Sequence, residues 1–420
     1  MLAQQRLCCL KGRAMLTLET FNAARDILAP VLTRTPLVYS QHYTQSSGNR
    51  VYFKPENLQL TGAYKVRGAF VKIARLPVEQ KKRGLITASA GNHAQGVALA
   101  AHLQKLRATV VMPTTTPLVK VNNTKAYGAS VVLHGENYDE AYAHALELSH
   151  DKGLTFVHPF NDLDVASGQG TMAFEILADL PETDIIILPI GGGGLAAGVA
   201  TLAKLIKPDI EIIGVEPAGA ASMKRSLELG QIATLNSVET IADGVAVKTP
   251  GDRVFPYVQA NVDRIITIED VELIDAFLTV METHKLIVEN AGLLSVAALD
   301  HLGVRGKRVV SILSGGNMDV ITMASLVQHG LINRGRVFTF SVLLPDRPGE
   351  LERIAHIVAR QRGNIIRLEH NQFVSINRNM AVELKVTLEA FGHDHKQAIM
   401  QALADKGYKT KLILPTAVFD

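Results

Sequence analysis

At 420 residues, with 47% hydrophobic and 20% charged residues and a formal net charge of +3, the chain is excluded from the charge-rich disordered proteins. No basic block is interleaved with aromatics, which excludes nucleic acid as a partner. The two cysteines, Cys8 and Cys9, are sequence neighbours and build no disulfide framework, in keeping with a reducing cytoplasm.

The opening "MLAQQRLCCLKGRAML" has neither the continuous apolar core nor the small-residue cleavage site of a secretory signal. Residues 1–14 read as a disordered extension, with Met15 as an alternative start. From about residue 50 to 320, strand-like and helix-like runs alternate. In order come "RATVVMP", "ASVVLHG", the helical "NYDEAYAHALELSHDKG", "TFVHPF", a helix around "TMAFEILADL", then "DIIILPI", "VATLAKLI", "EIIGVEP" and "RVVSILSGGN". Val- and Ile-rich runs without polar alternation predict strands buried on both faces. With helices between them they predict a doubly wound α/β fold of mostly parallel sheets. The most membrane-like window, Ile185 to Ile206, contains Pro189 and five glycines, which argues against a spanning helix.

Composition shifts after Gly330, and "INRGR" reads as part of a linker over 326–335. "VFTFSVLLP" predicts a strand, and "ELERIAHIVARQRG" a helix with Leu351, Ile354, Ala355 and Val358 on one face. Two strands follow, the second with Val382, Leu384, Val386 and Leu388 at period two; then come a helix closed by Gly407 and a last strand. The order βαββαβ predicts a small α+β domain over 336–415 with an antiparallel sheet, behind a main unit of 15–325.

Gly191, Gly192, Gly193 and Gly194 lie between a strand-like and a helix-like run, so their N–H groups face the positive end of a helix, a ready anion site. Gly191-x-Gly193-x-x-Ala196 satisfies the loose dinucleotide fingerprint, with Glu216 closing the next strand where a ribose-binding acid would lie. A single phosphate, such as that of pyridoxal 5′-phosphate, suits the loop equally, and a ligand-free tight turn is the third reading. Two further stretches bear on the choice. In "KPENLQLTGAYKVRGAF", Lys65 opens a helix with the apolar stripe Val66, Ala69, Phe70 and Ile73. A lysine there feels an unfavourable helix dipole and partial burial, both of which lower its pKa and suit Schiff-base chemistry with an aldehyde; a snorkelling surface lysine is the plainer reading of the residue seen alone. In "TASAGNHAQGVALA", the turn Ser89-Ala90-Gly91-Asn92-His93 precedes an apolar helix, offering an anion site for a substrate carboxylate, or simply a capped helix start.

These motifs, with "GGGGL" and "SGGN" in that order and spacing, resemble the fold-type II pyridoxal-phosphate enzymes, most closely the threonine ammonia-lyase (threonine dehydratase) family, over residues 17–325. The tail from Arg336 to Leu414, with "PDRPGELERIAHIVARQRGNI", resembles an ACT domain. The resemblance implies pyridoxal 5′-phosphate as cofactor and two doubly wound subdomains, the smaller roughly 55–155. It also implies β-elimination of water from L-threonine, and from L-serine. On it, Lys65 is the Schiff-base lysine, Asn92 holds the cofactor's ring hydroxyl, Gly191 to Leu195 wrap its phosphate, and Ser314 meets the pyridine nitrogen. Ser89, Ala90, Gly91, Asn92 and His93 would contact the substrate. Glu216 and Ala220 match positions where relatives bind a structural cation, although Ser222 stands where an acid would follow. Ala63-Tyr64 replaces the usual Ser-Phe before the lysine, and Ala90 lacks the hydroxyl that serine racemases use as an acid/base. The tail implies a homo-oligomer, most readily a tetramer, and an amino-acid effector.

Overall fold

A computed structural model describes residues 15–371 and 382–413; the expected extension 1–14 lies outside the described residues. The chain divides into two compact units after Asp319.

In the first unit, β1 (Val38–Ser40) and β2 (Arg50–Pro55) lead to α1 (Lys65–Arg75). There follow β3 (Leu85–Ala88), α2 (Asn92–Leu103), β4 (Ala108–Met112), β5 (Ser130–Leu133) and β6 (Thr155–Phe156). Next are α3 (Leu163–Gly170), α4 (Met172–Asp179), β7 (Ile185–Pro189), α5 (Gly194–Ile206) and β8 (Glu211–Pro217). Last come β9 (Arg264–Ile268), α6 (Asn290–Ala297) and β10 (Arg308–Leu313). Two sheets form, ordered β5-β4-β3-β6 and β1-β2-β10-β7-β8-β9. The smaller is parallel throughout; the larger is parallel except for β1 at its edge. Every residue of β3 and β7 is buried, as unalternating apolar strands covered by helices on both faces must be. The stripe Val66, Ala69, Phe70 and Ile73 is buried on α1 as its spacing requires.

Strand order sets the site. In parallel α/β sheets the loops that leave the carboxyl ends of the strands gather on one side, where ligands bind. The turn before α2, the glycines before α5 and the "SGGN" loop all leave such ends, after β3, β7 and β10.

The second unit opens with α7 (Val320–Asn333), so most of the stretch read as a linker is helix. Gly335 misled the sequence reading. Its φ of +65° makes it the left-handed stop of that helix. The Gly335 N–H donates to Ile332 O at 2.9 Å, and the Arg336 N–H to Leu331 O at 2.8 Å. Then come β11 (Val337–Leu344), α8 (Glu350–Arg360), β12 (Asn364–Asn371), β13 (Val382–Glu389), α9 (His393–Asp405) and β14 (Thr410–Ile413). The sheet is antiparallel in the order β12-β13-β11-β14. Val382, Leu384, Val386 and Leu388 face the core as period two demands, and Ile354 and Val358 of α8 cover them, whereas Leu351 is 43% exposed. Among the described residues no helix is long and apolar enough to cross a membrane.

Candidate active site

Lys65 is the first residue of α1, a helix whose start has no side-chain cap. Its half-buried side chain crosses to Pro159, donating from Nζ to the carbonyl at 3.2 Å, and Nζ lies 5.3 Å from the centre of the Tyr64 ring. Burial lowers the ammonium pKa from 10.5 to about 8, and the nearby Glu289 carboxylate restores part of the loss. Opposite lies the glycine turn. Gly193 has φ +99° and caps α5, whose first N–H groups have no partners within the helix. A Cβ on Gly192 would come within 2.2 Å of the Phe160 ring, and one on Gly194 within 2.8 Å of Phe160 O. The turn therefore packs tightly against Phe160, with no room for a side chain at either position.

One cavity is lined by Lys65, Asn92, Gly191 to Leu195 and Ser314, residues from four separate segments. The segments interlock. Ala63 bridges Gly315, the Tyr64 N–H donates to Ser314 O at 3.1 Å, and the Gly316 N–H donates to Gly62 O at 2.9 Å. Ser314 is buried at the end of β10.

Two residues of the cluster escaped the sequence reading. Glu289, immediately before α6, lines the cavity and accepts a hydrogen bond from Asn92 Nδ2 at 2.6 Å. Burial and the charge of Asp243 raise its carboxyl to about 7, while Asn92, Lys120 and Lys65 pull the other way. Asn317 donates from Nδ2 to Asn92 Oδ1 at 2.8 Å and to Thr61 O at 2.6 Å. Asn92 is thus oriented from both ends of its amide.

The substrate turn divides. Asn92 lines the cavity, but Ser89, Ala90, Gly91 and His93 are not among its lining residues. Ser89 Oγ accepts the Gly91 N–H at 3.2 Å. His93 is buried, with Nε2 3.1 Å from Val157 O; burial and the Lys65 charge hold its imidazole neutral, with a pKa of about 3. Glu216 and Ala220 stand elsewhere, at the end of β8 and in the loop after it. Both Glu216 oxygens are engaged, accepting the N–H groups of Met223 at 2.9 Å and Lys224 at 2.8 Å. Among the described residues no group of three or more His, Cys, Asp or Glu could hold a metal.

An amine made nucleophilic by burial and a phosphate cradle in one cavity can hold a phosphorylated aldehyde, the chemistry of a pyridoxal-phosphate enzyme on a doubly wound scaffold. The comparisons agree. The profile of the family described as "Pyridoxal-phosphate dependent enzyme" matches residues 28–315. An L-threonine ammonia-lyase of Thermotoga maritima is 41% identical over 400 residues, covering 95% of this chain and 100% of that one. The processed form of threonine deaminase isoform 2 from Solanum lycopersicum superposes with a TM-score of 0.71 at 39% identity, over 75% of this chain and 89% of that one. Maize serine racemase gives a TM-score of 0.71 at 35% identity, over 77% and 100%. The chain belongs to the pyridoxal-phosphate-dependent enzymes and, within them, to the threonine ammonia-lyase family.

Proposed function

We propose that the chain deaminates L-threonine to 2-oxobutanoate and ammonia, and L-serine to pyruvate, by eliminating water. The observation that carries this reading is the convergence of Lys65, Asn92, the four glycines and Ser314 on one cavity in a chain of this family. Bound pyridoxal phosphate supplies an electron sink that acidifies the substrate Cα–H bond. The chain's residues do the rest. Lys65, its amine partly neutral near physiological pH, takes the Cα proton. The N–H groups of Gly191 to Leu195 hold the phosphate against the start of α5. Asn92, fixed by Glu289 and Asn317, orients the ring through its hydroxyl. Ser314 gives the pyridine nitrogen a neutral partner, which leaves a weaker sink than a carboxylate would and suits a prompt departure of the β-hydroxyl. The uncapped start of α2, which reaches the cavity at Asn92, is assigned to the substrate carboxylate.

Ala90 argues against racemisation, because it has no proton to deliver to the opposite face of the substrate. With L-threonine, L-serine and D-serine offered in turn to the cofactor-loaded protein, ammonia release is expected from the first two and no D-serine from L-serine. A loaded protein that leaves L-threonine unchanged would overturn the reading. We assign the second unit an amino-acid effector and the whole chain a cytoplasmic homotetramer. The support for the effector and the oligomer is the second unit's βαββαβ order with the Asp346–Gly349 turn ahead of α8, and for the cytoplasm the cysteine usage. Isoleucine or valine added to the same assay is expected to change the threonine dependence, as a ligand with unequal affinity for two arrangements must.

A structural cation is proposed at the loop after β8. Burial raises the Glu216 carboxyl to about 7 despite the two N–H bonds it accepts, and the Ser222 hydroxyl is buried without a hydrogen-bond partner among the described residues. A cation there would take oxygens from Glu216, the Ala220 carbonyl and Ser222. Added magnesium or potassium is expected to raise the melting temperature, and a Ser222→Ala protein to lose that response.

A further inference from the structure

Away from the cavity, three buried charges, Lys54, Glu56 and Arg67, and a fourth that is partly exposed, Glu175, are not used by the proposed chemistry. Arg67 is the largest fully buried side chain, and all five of its N–H groups are engaged. Nε and Nη2 donate to the two oxygens of Glu56 at 2.7 and 2.8 Å. Nη1 and Nη2 donate to the two oxygens of Glu175 at 2.7 and 3.0 Å, and Nη1 also donates to Thr171 Oγ1 at 3.2 Å. Lys54, equally buried on β2, donates to Glu175 and, at 2.6 Å, to Thr35 O. Thr35 Oγ1 donates to Glu56 Oε1 at 2.7 Å. Burial pushes the Glu56 carboxyl up, yet Arg67 and Lys54 outweigh it and hold the group below its usual range. Two cations and two carboxylates balance.

Such a network is a poor way to gain stability, since apolar side chains of similar volume in its place are often neutral or better. What a doubly forked guanidinium provides is direction: it tolerates neither sliding nor rotation, whereas packed methyl groups tolerate some of both. Arg67 lies two residues beyond Lys65, about 200° around the helix, so an anchor on one side sets where the other side points. The first turn is otherwise held by packing and main-chain bonds, with Val66 buried and the Tyr64 N–H just before it donating to Ser314 O at 3.1 Å, but neither has the directionality of a fork. Among the described residues no side chain caps the turn, and the one further side-chain hydrogen bond to it is the Gly68 N–H to Gln169 Oε1 of α3 at 3.1 Å. Among the described residues the Lys65 amine itself has a single hydrogen bond, to Pro159 O.

We infer that the Arg67–Glu56–Glu175–Lys54 network is a positioning device for Lys65, fixing the rotation of α1 against β2 and α4 and so the direction in which the amine enters the cavity. A rotation of about 20° would carry an amine ~8 Å from the helix axis through ~3 Å, and misplacements of ~1 Å already cost about 100-fold in rate. The inference rests on Lys65 being the cofactor-binding lysine.

The test is Arg67→Lys, which keeps the charge and loses the fork, in the full chain loaded with cofactor. Four quantities are read: kcat and KM for L-threonine, equilibrium cofactor affinity, the pH midpoint of the visible band of the lysine-bound cofactor, and melting of the cofactor-free protein. Positioning predicts a fall in kcat of about 30-fold or more with KM changed by less than about threefold. It also predicts a midpoint displaced by at least about half a pH unit. A variant that merely melts lower, with the parental midpoint and kcat per bound cofactor, overturns the proposal. Should Arg67→Lys fail to fold, Glu175→Gln, which keeps the shape and removes one charge, decides by the same readouts. If the parental protein binds cofactor without deaminating L-threonine, the functional reading fails while the midpoint still tests the positioning.

Discussion

Lys65→Ala is expected to bind pyridoxal phosphate without its lysine-linked visible band and to deaminate L-threonine at least about 10⁴-fold more slowly, because the covalent anchor and the Cα base are lost together. The effect should be specific, since α1 is held by its buried stripe and by Arg67, neither of which the substitution touches. The pH dependence of capture in the parental protein sharpens the test. Only the neutral amine attacks an aldehyde, and burial brings the Lys65 pKa to about 8. Capture by cofactor-free protein should therefore rise with pH through about 8 and flatten above it. An ordinary lysine would hold roughly 300-fold less neutral amine at pH 7. Glu289 favours the ammonium, so Glu289→Gln should move the midpoint downwards. A midpoint near that of a free lysine, or one that Glu289→Gln moves upwards, would contradict the assignment of this environment. A Lys65→Ala protein that kept the band and the activity would remove Lys65 from the chemistry altogether.

What the sequence revealed and what it hid have physical causes. Lys65 and the glycine turn, which line one cavity with Ser314, could be singled out because each carries a distinct pattern in a short segment, whereas Ser314 was reached only through the resemblance to the family. A lysine opening an apolar helix is one such signal, and four glycines between a strand and a helix are another. Strands β4, β7, β8 and β10 were legible because burial on both faces removes polar alternation, whereas β2, β3 and β9 were not picked out and β5 and β9 are only partly covered. β1, three residues long, carries too little pattern for its antiparallel pairing to be read. Glu289 was invisible for another reason. An acid before a helix ordinarily caps it, but this one makes no side-chain cap and reaches Asn92, 197 residues away in sequence. Asn317 was hidden beside the residue that drew attention in "SGGN", and its partners lie 225 and 256 residues distant. The linker reading failed at Gly335 because a glycine after polar residues marks a helix end as well as it marks a tether.

Gly192→Ala is expected to weaken cofactor binding by about 100-fold, or ~2.7 kcal/mol, within the range that overpacking a well-filled site costs. The added methyl would fall 2.2 to 2.4 Å from three carbons of the Phe160 ring, closer than any real Cβ contact, so one side must move. The ring cannot turn aside freely, being packed edge-on to His158 with centroids 4.7 Å apart, and its backbone N–H donates to His158 Nδ1 at 3.2 Å. Displacing Phe160 also disturbs Pro159, whose carbonyl holds the Lys65 amine. One methyl thus strains the phosphate cradle and the lysine's resting place together, so both cofactor affinity and the midpoint of capture should shift. Gly191→Ala should be milder, because its methyl would meet Val245 at 3.0 Å and beyond. If the Phe160 contact is the cause, trimming the ring must relieve the clash. Gly192→Ala combined with Phe160→Ala should then bind cofactor more tightly than the sum of the two single losses allows. Strict additivity in an equilibrium titration would place the strain elsewhere. A Gly192→Ala protein that binds cofactor as the parent does would show that the turn does not close around the phosphate.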